Sequence, residues 1–254
     1  MPEPALQIRG VRKEFGPIVA LDRIDLDVAV GEFVCLLGPS GCGKSTLLNA
    51  IAGFTQPGSG EIFAFGKRVE RPEPERAMVF QEYALFPWMT VRDNVAFGLQ
   101  IRGDREAHAK AEALLHKLAL GGFGDRFPKD LSGGMRQRVA LARCLALDAP
   151  MLLMDEPFGA LDALTRRSMQ DELLRIWTEL KQTIVFVTHG IEESLLLADR
   201  VVVMTYRPGT VKKIVPVALS RPRDETTPEF SAALRAVTQL VREEQRRHER
   251  DLQT

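Results

Sequence analysis

The run Phe33-Val34-Cys35-Leu36-Leu37-Gly38-Pro39-Ser40-Gly41-Cys42-Gly43-Lys44-Ser45-Thr46-Leu47-Leu48 decides the fold. Its first part, Phe33 to Leu37, is wholly apolar and reads as a strand buried on both faces. The residues from Gly38 to Ser45 fit the phosphate-loop pattern GxxxxGK[ST], and the stretch Thr46 to Ala52 has helical character. Strand, glycine-rich loop and helix in that order gather backbone N–H groups and a helix N-terminus around one point, where an anion is favoured. Lys44 brings a point charge for β- and γ-phosphates, and Ser45 a hydroxyl for Mg²⁺. The bland alternative is a glycine-rich turn with a chance lysine, and the flanking strand and helix count against it.

Downstream, Met151-Leu152-Leu153-Met154-Asp155-Glu156 is an apolar strand ending in two acids. At the C-terminal end of a strand beside a phosphate loop, Asp155 can reach a metal shell and Glu156 can polarise an attacking water. Taken alone, the same stretch also reads as a buried strand followed by a solvated acidic turn. Between these segments, Leu131-Ser132-Gly133-Gly134-Met135 opens a helical run, Val139 to Leu147. Ser132, Gly133 and Gly134 at a helix start make a second anion site, with Ser132 as N-cap and donor to a phosphate, or simply a cap after a flexible loop.

The rest of the chain sets these motifs in an α/β frame. Ile24 to Val28 and Glu61 to Phe65 have the alternation of half-buried antiparallel strands. Ala77 to Phe80, Met151 to Met154, Ile184 to Val187 and Val201 to Met204 join Phe33 to Leu37 as strands of a doubly covered, mostly parallel sheet. From Val91 to Ala146 the strand signal gives way to helical periodicity, as in Asp104 to Leu118, which predicts an inserted helical subdomain over about residues 91–146 of a domain spanning 1–215. Residues 216–254 read as a linker and an amphipathic helix, Glu229 to Asp251, with Phe230, Leu234, Val237 and Val241 on one face.

Balanced charge, 34 Lys+Arg against 34 Asp+Glu, leaves no basic excess for nucleic acid, so no nucleic-acid partner is expected. No apolar run reaches the roughly 18 to 20 residues of a membrane span, and the N-terminus lacks the pattern of a signal peptide, so retention in the cytoplasm is expected. The 3 cysteines, Cys35, Cys42 and Cys144, form no CxxC pair and are expected to be free thiols.

The phosphate loop, LSGGM, Asp155-Glu156, Phe158-Gly159-Ala160-Leu161-Asp162 and Thr188-His189 come in the order found in ATP-binding cassette (ABC) transporter ATPases, which the chain resembles from about Ile8 to Met204. The resemblance implies a P-loop NTPase core with an N-terminal antiparallel subdomain and a helical insertion. It implies ATP and Mg²⁺ as ligands, the loop residues Gly38 to Thr46 on the phosphates, and Ser45, Gln81 and Asp155 on the metal. By the same resemblance Phe15 stacks on adenine, Gln81 senses the γ-phosphate, Glu156 is the general base, and His189 is the switch histidine. Phe15 also reads as an edge-strand core residue, Gln81 as a loop residue and His189 as a structural histidine. Two cassettes of this family pair head to tail, so Ser132, Gly133 and Gly134 would cap the nucleotide of a second, identical subunit, with Asp162 in a loop that touches it.

The segments FPWMTVRDNVAFGL, DEPFGALDALTR, HGIEESLLLADRVVVM, RPGTV and TPEF resemble the nitrate/sulfonate/taurine importer group. That implies permease subunits in the membrane, docked in a groove near Phe86 and Trp88, a solute-binding protein acting indirectly, and a place on the cytoplasmic face. The competing readings are a soluble ABC ATPase with no transport role and an importer of the same group for an unrelated small heterocyclic solute. The bland alternative for Phe86 and Trp88 is that they only seal the helical subdomain onto the sheet. Gly190 stands where close relatives carry an Asp after the switch histidine, at a cost of a few tenths of a kcal/mol as a helix cap. Cys42, inside the loop, is expected to let a thiol reagent block ATP binding, and its bland alternative, a small buried filler, is compatible with that.

Overall fold

The computed structural model describes residues 4–251, with side chains to residue 247. In chain order the elements are β1 (Leu6–Phe15), β2 (Ile18–Val28), β3 (Phe33–Leu37), α1 (Lys44–Ala52), β4 (Ser59–Ala64), β5 (Lys67–Arg68) and β6 (Arg76–Val79). Then come α2 (Val91–Ile101), α3 (Ala107–Lys117), a 3-10 turn at Pro128–Asp130, α4 (Gly133–Leu145), β7 (Met151–Asp155) and α5 (Ala163–Leu180). The chain continues through β8 (Thr183–Thr188), α6 (Ile191–Leu197), β9 (Arg200–Met204), β10 (Val211–Pro216) and α7 (Pro228–Asp251). These elements form two compact units, Met1–Glu73 with Thr183–Thr254, and Pro74–Gln182.

The first unit holds the N-terminal antiparallel sheet, in the order β2-β1-β4-β5. Leu6, Ile8, Ile24, Leu26 and Val28 are buried at every second position, and the residues between them are not, so this sheet covers the core with one face. Strand β1 was not legible in the sequence, because Arg9, Arg12 and Lys13 break its alternation where the pairing with β2 shifts register. In the same unit β10, β9, β3 and β8 lie side by side. Strand β3 is parallel to both β8 and β9, and every residue of β3 and β8 is buried, which is why these strands are continuous apolar runs. Strand β10, antiparallel to β9, is half-buried and lay hidden behind the RPGTV turn in the sequence reading.

Helix α7 packs on α6 and β9 of its own unit through Phe230, Val237 and Val241. The charged run Arg242 to Asp251 reads in the sequence as a solvated face; Arg242, Glu243 and Arg246 are exposed, Glu244 is buried, and the side chains of 248–251 lie outside the described residues. The linker before α7 performs a specific task. Arg223, 6% exposed, donates to the carbonyls of Leu195, Leu196 and Ala198 at 2.7, 3.1 and 2.7 Å, and Arg221 donates to Leu197 O and Asp199 Oδ1 at 2.5 Å each. Those carbonyls are the acceptors a helix end leaves over, here supplied with cationic donors. Burial pulls the Arg223 guanidinium down to about 10.

The second unit is built on β6 and β7, parallel and in register from Arg76↔Met151 to Val79↔Met154. Helices α2, α3 and α4 pack on one another, and α4 also packs on β6 and α5. Helix α3 starts at Ala107, after Asp104 Oδ1 has accepted from the Glu106 N–H at 2.9 Å and turned the chain. Thr90 and Ser132 cap α2 and α4 by accepting from Asp93 N and Met135 N.

Candidate nucleotide site

In the first unit the phosphate loop is set by its neighbours in the sheet. Leu37 of β3 pairs with Thr188 of β8, so Gly38 and His189 leave adjacent strands at the same level. Lys44 is 4% exposed, and its ammonium donates to Gly38 O at 2.7 Å and Pro39 O at 3.0 Å, with Cys42 Sγ at 3.8 Å. Among the described residues it meets no carboxylate. A buried cation held only by carbonyls and a sulfur is a site that gains from an anion. Gly43, at φ 95°, precedes α1 with no side-chain cap, and a Cβ there would lie 2.7 Å from Leu21 Cδ2 and 2.8 Å from Ala20 O. The loop therefore presents a bare helix N-terminus to its ligand, and only glycine lets it turn so tightly against β2. Ser40, Gly41 and Ser45 are exposed and Thr46 is half-buried, so this donor set fits a polyphosphate.

Phe15 ends β1 at a hairpin tip, 52% exposed, with Lys13 Nζ 5.3 Å from its ring centre. That exposure removes the alternative of a core residue. His189 is exposed beyond β8, and the Gly190 N–H donates to Thr188 Oγ1 at 2.9 Å, while the Thr188 hydroxyl donates to Glu193. The first turn of α6 is thus tied back to its strand without an Asp at residue 190. Cys42 needs a correction. It is 0% exposed and burial pushes its thiol up, against the pull of nearby Lys44, so the thiolate a reagent would attack is scarce and covered. The filler reading of Cys42 stands, and the expected block by thiol reagents does not follow. All three cysteines are free and buried.

In the second unit the register of β6 and β7 sends Gln81 and Glu156 out at one end, each two residues past the paired Val79 and Met154. Asp155 closes β7, half-buried, and Glu156 has a left-handed backbone, φ 43°. The sharp turn is closed by Gly159 N–H donating to Glu156 O at 3.1 Å. Arg166 donates to Phe158 O at 3.2 Å and Leu161 O at 2.9 Å, which fixes the segment up to Asp162. Asp162 itself caps α5, its Oδ1 accepting from Thr165 N at 3.0 Å, and this bond holds its carboxyl below the usual range.

Ser132 is exposed and its Oγ accepts from Met135 N at 3.3 Å, which leaves its hydroxyl hydrogen free to donate outward. A Cβ on Gly134 would lie 2.6 Å from Thr165 Cγ2, so that glycine serves packing against α5 as well as any ligand. Two residues that sequence reasoning passed over hold the loop after Gln81. Arg143 of α4 donates to Ala84 O at 2.6 Å and Tyr83 O at 3.1 Å and lies 5.6 Å from the Phe86 ring centre. Asn94 of α2, fully buried, accepts from Phe86 N at 2.8 Å and donates to Phe86, Met89 and Thr90 carbonyls. The only signal was Arg143 inside the apolar run Val139 to Leu147; Asn94, beside Arg92 and Asp93, gave none. Trp88, held near Phe86 with ring centres 5.7 Å apart, is 71% exposed, so it does not seal the helices as the bland reading had it.

Of the side chains expected at a metal, Ser45 in the first unit and Gln81 and Asp155 in the second each offer an oxygen, the donor type a hard cation takes. Among the described residues no cluster of His, Cys, Asp and Glu side chains stands ready to hold a metal unaided. Strand, phosphate loop and helix in an α/β core with a second, antiparallel sheet define a P-loop NTPase. The ABC transporter family profile matches residues 21–159. A taurine import ATP-binding protein of Jannaschia sp. (strain CCS1) is 49% identical over 215 residues, 82% of this chain and 80% of that one. An aliphatic sulfonates import ATP-binding protein of Bacillus anthracis is 44% identical over 218 residues, 86% of each. Among solved structures, a dimeric ATP-binding cassette in a post-hydrolysis state bound to ADP and Pi matches with a TM-score of 0.74 and 31% identity, over 84% of this chain and 98% of that one. The chain belongs to the ABC transporter family, as an ATP-binding cassette ATPase. Among the described residues no helix is long and apolar enough to cross a membrane.

Proposed function

We propose that this cassette drives import of a small sulfonate-type or anionic solute, such as taurine, an alkanesulfonate or nitrate, through separate permease subunits at the cytoplasmic face of the membrane. An extracytoplasmic binding protein would deliver the solute. The observation that carries the ATPase reading is Lys44, a buried ammonium on loop carbonyls. The importer reading is supported by the taurine and sulfonate import proteins at 49% and 44% identity.

In this reading the amides of Gly38 to Thr46 and the Lys44 charge bind the phosphates, and Phe15 carries the base. Glu156 accepts the proton of the attacking water, and His189 and Gln81 orient the γ-phosphate, so charge builds up where donors already stand. Mg²⁺, held by Ser45, Gln81 and Asp155, would neutralise the phosphate oxygens when bound. Ser132, Gly133 and Gly134 would complete the site of a second copy, so hydrolysis needs a pair of cassettes, with Asp162 at their contact.

The test is reconstitution with the neighbouring permease subunits in vesicles, with the solute-binding protein supplied. Uptake of taurine, an alkanesulfonate or nitrate that depends on ATP inside and stops with vanadate supports the reading. ATP hydrolysis that never couples to any of these solutes would refute the solute class, and no vanadate-sensitive hydrolysis would refute the ATPase reading.

A further inference from the structure

The turn at Thr205–Thr210 lies directly against the phosphate loop, and neither the loop's pattern nor the chemistry above accounts for it. Arg207 Nε donates to Gly41 O at 3.2 Å, and the N–H on the other side of the same peptide, that of Cys42, donates to Pro39 O at 3.3 Å. Gly209 is pressed so close that a Cβ on it would fall 2.1 Å from Cys42 O. Its N–H donates to Ala20 O at 3.0 Å, and its carbonyl accepts from Asp22 N at 3.0 Å, on the strand that also backs Gly43. The turn is closed on itself by Thr205, whose Oγ1 donates to Pro208 O at 2.8 Å and accepts from Thr210 N at 2.9 Å.

The far side of this turn is held by the C-terminal helix. Glu244 of α7, only 5% exposed, accepts from Tyr206 N at 3.2 Å and pairs with Lys212 Nζ at 2.8 Å. Lys212 also donates to Leu240 O at 3.1 Å. A carboxylate buried to this degree is costly unless its partners are fixed. Here it has a backbone N–H on the turn and an ammonium on β10. A continuous set of contacts therefore runs from α7 through Glu244 and the 205–210 turn to the Gly41–Cys42 peptide.

We propose that Arg207 is a positioning residue for ATP binding, and that Glu244 of α7 sets it, so that the C-terminal helix tunes the nucleotide affinity of its own phosphate loop. This rests on the reading of Gly38 to Thr46 as the ATP site. Arg207 orients a peptide plane of the loop without being required to touch the nucleotide. Its loss weakens the grip on phosphate and leaves the hydrolytic groups in place.

The experiment compares wild type with R207M, R207K, E244A and the double variant R207M/E244A in the assembled transporter, by ATP binding and steady-state hydrolysis. R207M should raise the Kd and KM for ATP by about fivefold, roughly the loss of one charge-assisted hydrogen bond at an exposed site, with kcat within about twofold. R207K, which keeps a donor, should recover part of the affinity. E244A should raise KM in the same way, and the double variant should be no worse than the weaker single variant, since both act on one peptide. Unfolding midpoints measured without nucleotide separate this from loss of fold: R207M should match wild type. Unchanged KM in R207M, or additive effects in the double variant, would overturn the proposal while leaving the ATP site intact. A wild-type protein that binds no ATP would overturn the site reading with it.

Discussion

Glu156 shows how much one residue is asked to do. It sits at the end of a buried strand with a left-handed backbone at φ 43°, a conformation that costs a non-glycine residue about 1 kcal/mol. A glutamine keeps the shape and size of the side chain and loses its charge and with it the ability to take a proton. Glu156→Gln should therefore bind ATP as wild type does and lose at least about a hundredfold in turnover, the usual worth of a general base. Filter binding and phosphate release on the same preparation check it, and near-normal release would remove Glu156 from the role. Buried thiols act at this scale too. Burial raises Cys144 from 9.0 to about 11, with its Sγ donating to Met78 O at 3.2 Å. In the unfolded chain the same thiol loses its proton near its ordinary value, so above about pH 9 the unfolded state holds fewer protons and stability falls until about pH 11. Cys144→Ala should flatten that alkaline limb by up to about 1.4 kcal/mol per pH unit in urea titrations at pH 8 to 11.

At the scale of elements, the loop after β6 depends on side chains of α2 and α4 that stand away from the chemistry. Asn94 ties the stretch Phe86 to Thr90 to α2 by accepting one hydrogen bond and sharing its two N–H hydrogens among three carbonyls, and it is fully buried. Asn94→Ala leaves backbone groups without partners and should cost about 2–4 kcal/mol in urea unfolding, far more than an exposed substitution. The buried strands β3, β7, β8 and β9 were legible because a sheet covered on both faces leaves an unbroken apolar run. Strand β1 was not, since Arg9, Arg12 and Lys13 interrupt its apolar positions and its register shifts break the period of two. The phosphate loop and the acids after β7 were readable from short-range pattern alone. Arg143, Arg207 and Glu244 were not, because each acts on backbone far away in sequence, and no local pattern encodes a partner 59, 166 or 38 residues distant. Asn94 acts close by, within 8 residues, but an Asn beside Arg92 and Asp93 looks like any polar helix residue until the fold buries it.

For the whole molecule, the exposed Ser132 with a hydroxyl hydrogen to give away is the feature that calls for a second copy. If it caps a partner's nucleotide, replacing it should leave ATP affinity in the single cassette untouched and remove both hydrolysis and association. Sedimentation of Glu156→Gln with ATP should then show a dimer that the added Ser132→Arg change abolishes, through a side chain too large for the contact. A dimer unaffected by residue 132 would rule out this way of pairing.

The clasp of Arg221 and Arg223 on the end of α6 bears on how the protein is made. The first unit takes strands from both ends of the chain, and the donors that finish α6 come only after β10. While the ribosome is still reading the middle of the message, the leading strands have emerged but the pieces that close their sheet have not. Domains tend to fold as units once their last required segment is out, so this unit must wait for residue 223 at the least. A stop codon shortly before it would not trim a spare tail. It would strand a nearly finished protein with α6 open at its end, a substrate for quality control rather than a shorter enzyme.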